Sequence, residues 1–92
     1  MIRVVWGRDR VTLRGHAGYA PAGQDIVCAA VSALVYALAG ALEHQDAVEE
    51  LTIRPGLVIL AARPGHEPEL QVLRSGLGQL AGRYPGCIRL EE

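Results

Sequence analysis

Two residues able to do acyl-transfer chemistry stand twelve positions apart, His16 and Cys28. Cys28 comes three residues after Asp25, a strong helix N-cap, and lies one turn inside the apolar run that begins at Ile26. A thiol near a helix N-terminus with an imidazole in reach yields a thiolate nucleophile, because unbonded amides and the helix dipole favour the anion. The same amides could hold an oxyanion during acyl transfer. Ser32 lies four residues past Cys28, on the same helix face. It can donate to the sulfur or line a pocket. Between histidine and cysteine runs a loop of small residues with Gly18 and Gly23. Its freedom suits a segment that lets a peptide backbone approach and then closes over it.

Each residue also has a plainer reading. An unpaired helix cysteine is most often a small buried hydrophobe. Asp25 reads first as a cap that accepts from the amide of Val27 or Cys28. A serine inside a helix commonly bonds back to its own turn. His44 and His66 read as surface residues, and Cys87 as core. No Cys-x-x-Cys or paired-histidine spacing supports a zinc site, and the loop lacks the Lys-Ser/Thr ending of a phosphate loop. No metal and no cofactor are expected.

Several elements must position these groups. Residues 2–6 are rich in β-branched side chains, and Gly7-Arg8-Asp9 reads as a turn. Val11 and Leu13 then alternate with Arg10, Thr12 and Arg14, the pattern of a strand with one wet face, ending near His16. The apolar run predicts a helix over 26–44. It is apolar nearly all round, so one face is expected on a sheet and the other under a second protomer, through residues such as Val35, Leu38 and Leu42. Residues 47–53 and 57–62 read as strands joined at Arg54-Pro55-Gly56. The continuous run Leu57-Val58-Ile59-Leu60 predicts a central strand covered on both faces. Glu67 opens a second helix with a stripe at Leu70, Leu73, Leu77, Leu80 and Tyr84, in which Gly76, Gly78 and Gly82 weaken the helix or permit close packing. Residues 87–90 complete a ββαββα(β) order. This is an α+β domain with helices packed on a mostly antiparallel sheet.

The chain has 92 residues, half of them apolar, which is one domain over 1–92 with one modest core. The formal net charge is -1, and all nine basic residues are arginines spread along the chain. That balance argues against a general nucleic-acid surface. The opening residues reach Asp9 quickly, unlike a signal peptide, so both cysteines are expected reduced in the cytoplasm. The apolar run is flanked by Asp25 and Glu43, and a buried helix is expected there instead of a membrane span.

Gly15-His16-Ala17-Gly18-Tyr19, then Gly23, then Asp25-Ile26-Val27-Cys28-Ala29-Ala30-Val31-Ser32 resembles the signature of the ribosomal-processing cysteine protease family. The resemblance covers about a fifth of the chain and departs at Pro21, Ala22 and Gln24. It implies that His16 and Cys28 form a catalytic dyad, beside which Gly18, Gly23, Asp25 and Ser32 are expected to bind substrate or support the pair. It implies a small cytosolic homodimer of α+β fold. Its substrate would be the precursor of a large-subunit ribosomal protein, relieved of an N-terminal extension before assembly. The competing expectation is a non-catalytic assembly module that only binds such a peptide.

Overall fold

The computed structural model describes residues 1–91. Seven elements follow in order: β1 (Ile2–Gly7), β2 (Arg10–Arg14), α1 (Ile26–His44), β3 (Val48–Arg54), β4 (Leu57–Ala62), α2 (Glu67–Arg83) and β5 (Ile88–Glu91). The strands form one sheet in the order β3-β4-β2-β1-β5. Pairing is antiparallel for β1 with β2, β2 with β4 and β3 with β4, and parallel only for β1 with β5. The expected α+β class and mostly antiparallel sheet are what the chain adopts.

Alternation sets the inner face. Ile2 and Val4 of β1, Val11 and Leu13 of β2, Leu60 of β4 and Ile88 of β5 are buried. They share one core with Val27, Val31, Val35, Leu38 and Leu42 of α1 and Leu70, Leu73 and Leu77 of α2. Both helices therefore lie on one face of the sheet. Gly76 lets α2 come close to α1, since a Cβ there would lie 2.9 Å from Leu34 Cδ1. A Cβ at Gly78 or Gly82 would meet open space. Leu80 and Tyr84 of the expected stripe are half-buried and pack against the core.

Two expectations are corrected. β4 lies between β3 and β2, as a central strand should, but no helix covers its outer face. On that face Leu57 and Ile59 are only half-buried. Ala61 is hidden on that face because Arg10 and Glu50 flank it and form an ion pair at 2.9 Å. Second, Val35, Leu38 and Leu42 are 2%, 6% and 0% exposed, so the chain's own core already takes them. The face that α1 leaves open holds Ala29, Ala33, Tyr36, Ala37 and Gly40. The helix is long and apolar enough to cross a bilayer, yet its Val27, Val31, Val35, Leu38 and Leu42 serve this core, while Ile26 and Tyr36 are exposed.

Candidate active site

The strand that carries His16 ends where the chain must turn sharply. Gly15 takes a φ of 98°, and a Cβ there would collide with the carbonyl oxygen of Met1. Its amide donates to the carbonyl of Gly56 at 2.9 Å, which joins the end of β2 to the β3–β4 turn. Pro55-Gly56 makes that turn, with Gly56 at a φ of 75°. The position suits glycine for a second reason. A Cβ on Gly56 would sit 3.1 Å from His16 Nε2 and 3.6 Å from Cε1. The imidazole thus rests on bare backbone.

Asp25 builds the other half of the site. One carboxylate oxygen accepts from the amides of Val27 at 3.0 Å and Cys28 at 2.9 Å, which caps α1. The second accepts from Tyr19 at 3.0 Å and Ala20 at 3.4 Å, which ties the loop to the helix start. The Cys28 amide, opposed by a desolvation effect and aided by Tyr19, Ala20 and Val27, holds this carboxyl below its ordinary range. The expected cap is therefore present, and it has a consequence. The amides of Val27 and Cys28 are already bonded to Asp25, and that of Ala29 donates to the Asp25 carbonyl at 3.1 Å. They are not free to hold an oxyanion, which corrects that expectation.

Cys28 is half-buried with a free thiol, and its Sγ accepts a hydrogen bond from the Ala17 amide at 3.3 Å. Ala17 is buried, so the residue after His16 is pinned beside the sulfur. A cleft of about 520 Å³ opens here, lined by His16, Gly18, Ala20, Gly23, Asp25 and Cys28, with Ser32 at its edge. A second, about 190 Å³, lies on the other side against Ile53, Arg54, Pro55 and Gly56. His16, Cys28 and Ser32 line both. An extended peptide running from one cleft to the other would cross the thiol.

All six site residues read from the sequence thus converge on one place. Ser32 is exposed and makes no hydrogen bond to the sulfur, so it serves as wall. Asp25 is engaged with amides and does not orient His16, whose ring has no hydrogen-bond partner among the described residues. The residue that sequence reasoning missed is Gly56. Pro55-Gly56 was legible as a turn, but nothing local says that the turn supports an imidazole forty positions upstream. Cys87 lies in the turn before β5, not in a buried strand, and is half-buried. Among the described residues no group of three or more His, Cys, Asp and Glu could hold a metal ion.

A thiol at a helix start, an imidazole on the same cleft and a groove to either side define a cysteine-protease type of site. The chain belongs to the cysteine protease Prp family, whose sequence model matches residues 1–89. It is 36% identical to the ribosomal processing cysteine protease Prp of Mycoplasma pneumoniae over 95 residues, covering all of this chain and 95% of that one. Its fold is similar to that of an essential ribosomal processing protease Prp from S. aureus, solved with a covalently linked product peptide. The TM-score is 0.83 at 21% identity, over 98% of this chain and 95% of that one. The same S. aureus protease in complex with a substrate peptide gives a TM-score of 0.76 at 20% identity, over the same shares of the two chains. The chain is therefore a cysteine protease by family, and the non-catalytic module loses its ground.

Proposed function

We propose that this protease removes the N-terminal extension of a large-subunit ribosomal protein precursor before ribosome assembly, using His16 and Cys28 as its dyad. The observation that carries the reading is the convergence of both residues on two adjoining clefts, with the Ala17 amide bonded to the sulfur. The Ala17 N–H fixes the position of the sulfur where the two clefts meet. The thiolate attacks the scissile carbonyl and forms a tetrahedral intermediate. His16 gives its proton to the leaving amine, and water then releases the acyl group with His16 as base. Since Asp25 occupies the first amides of α1, the Ala17 amide is the donor that can turn from sulfur to the developing oxyanion. The product and substrate peptides bound by the S. aureus relatives support a peptide laid across this groove.

The reading includes a cytoplasmic homodimer. The uncovered stripe of Ala29, Ala33, Tyr36, Ala37 and Gly40 on α1 is apolar and, Tyr36 aside, small enough for close helix contact. The test uses a peptide spanning the extension boundary of the precursor encoded in the same genome. The intact chain cleaves it at one bond, and Cys28→Ala, with an unchanged circular dichroism spectrum, does not. Turnover by Cys28→Ala would remove Cys28 as nucleophile. An intact chain that leaves this peptide whole while cleaving others would remove the substrate.

A further inference from the structure

The nine arginines look scattered along the sequence, but strand register gathers four of them. Arg3 of β1 stands opposite Arg14 of β2 and opposite Arg89 of β5. Leu57 of β4 stands opposite both Arg14 and Arg54 of β3. Across the sheet the row therefore reads Arg89, Arg3, Arg14, Leu57, Arg54. Directly paired residues share a face, and the neighbours Ile2, Val4, Leu13 and Ile88 are in the core, so this row lies on the outer face. All four arginines are exposed. They span four inter-strand steps of about 4.8 Å, roughly 19 Å in all.

We propose that this row is a binding surface for the phosphate backbone of a nucleic acid. Like charges on directly opposed strand positions destabilise a sheet, and here Arg3 meets one on either side. The fold does pair charges where it needs to. At the far end of the same face, Arg10 and Glu50 flank Ala61 and form an ion pair at 2.9 Å. In the equivalent positions around Leu57 stand Arg14 and Arg54. Among the described residues none of the four has an ion-pair partner. Guanidinium forks suit phosphate oxygens, and the next row supplies hydroxyl donors from Thr12 and Thr52. Glu91, beside Val5, also lies on this face.

A phosphodiester strand presents charge at every residue, which matches three adjacent arginines, with a fourth one strand beyond Leu57, better than the spaced carboxylates of a peptide. The aromatics Trp6, Tyr19, Tyr36 and Tyr84 lie on the core side, the loop and the helices, so the face has no platform for stacking bases. Contact is with the backbone and independent of base sequence. A net charge of -1 argues against a globally basic protein and leaves a local row untouched. Arg54 and Leu57 at one end of the row also line the second cleft, whereas Arg3 and Arg89 line neither, so the test is placed on those two.

The test is fluorescence anisotropy of a labelled DNA duplex of about 16 base pairs with the whole chain, in salt from about 50 to 200 mM. Neutralising three or four phosphates predicts an affinity loss of about 40- to 150-fold over that range. Arg3→Ser with Arg89→Ser should bind more weakly at low salt and lose only about 3- to 12-fold over the same range. Its melting temperature should hold or rise, because opposed like charges are removed, and its peptidase activity should be unchanged. No binding at low salt, or undiminished binding by the double variant, would overturn the proposal. So would a polyglutamate peptide that binds as tightly as the duplex, which would assign the row to an acidic protein partner.

Discussion

The ring of His16 rests on Gly56, which stands at a φ of 75° with room for only a hydrogen where a Cβ would come 3.1 Å from Nε2. The imidazole is thus positioned by the absence of a side chain. A carboxylate would fix one tautomer through a hydrogen bond. A glycine shelf fixes the ring's height and leaves both nitrogens available.

Gly56→Ala should therefore act on catalysis more than on folding. A left-handed alanine costs about 1 kcal/mol of stability, a modest drop in melting temperature. Displacing the ring by a few tenths of an ångström or more disturbs the alignment of base and nucleophile. A fall in kcat on the order of 10- to 100-fold with little change in KM is expected. Steady-state kinetics on a cleaved peptide decide it, and an unchanged kcat would show that His16 does not need this shelf.

The two free thiols sit in different chemistry. Cys28 faces the clefts and accepts from the Ala17 amide. Cys87 packs against the core in a turn, its amide bonded to the Tyr84 carbonyl and its carbonyl to the Ile2 amide. Brief iodoacetamide treatment of the native protein should alkylate Cys28 at least about tenfold faster, as expected for a nucleophilic thiol on an open cleft. Mass spectrometry of the digested protein measures it. Equal labelling would contradict the assignment of Cys28 as nucleophile.

Tyr19 and Tyr84 meet edge to face with ring centroids 5.5 Å apart. The contact holds the loop between His16 and Cys28 to the end of α2, while Asp25 holds the same residue's amide from the other side. The loop is therefore tied at Tyr19, and its exposed middle, from Pro21 to Gln24, is what can move over a substrate. Aromatic pairs of this kind are worth about 0.5–1.5 kcal/mol beyond their burial. Tyr84→Leu should raise KM by about 2- to 12-fold through a looser loop, and Tyr84→Phe should restore it. Hydrogen exchange at residues 17–24 should rise in the leucine variant alone. A KM that does not move would make the ring contact incidental.

Local pattern made much of this legible. β2 shows its wet face at Arg10, Thr12 and Arg14, and Asp25 announces the start of α1 because its side chain does the capping itself. What stayed hidden depends on meetings between distant segments. An all-apolar helix has no phase, so nothing in its sequence says that Val35, Leu38 and Leu42 face this chain's sheet and that alanines face outward. The apolar run of β4 suggested two covers, whereas one face of its Ala61 is closed by an ion pair from the flanking strands. The shelf at Gly56 and the arginine row arise from register, which no single segment encodes. That Asp25 uses up the helix amides is likewise a matter of geometry, since its second oxygen could as well have faced water.

The shared carboxylate of Asp25 gives the site a dependence on pH whose sign is fixed. Its amide partners, Cys28 foremost, lower its folded value below that of the unfolded chain. A depressed carboxyl contributes stability that is fully present above the unfolded value of about 3.9 and is lost as pH falls through the folded one. At neutral pH, Asp25→Asn keeps a side-chain oxygen for the cap but loses the charge that gathers four amides. It should melt lower than the parent and show looser exchange at Tyr19 and Ala20. The gap between the two melting temperatures should begin to narrow below about pH 4, where the unfolded chain's carboxyl takes up a proton, and close once the lower-lying folded carboxyl is protonated too. Activity at neutral pH should fall on the order of 100-fold, the scale of a misplacement near 1 Å between reacting groups. Paired melts of parent and variant from neutral to acid pH, with one peptide assay at neutral pH, measure all of this. A gap that stays constant with pH would mean that the charge of Asp25 does not hold the loop to the helix.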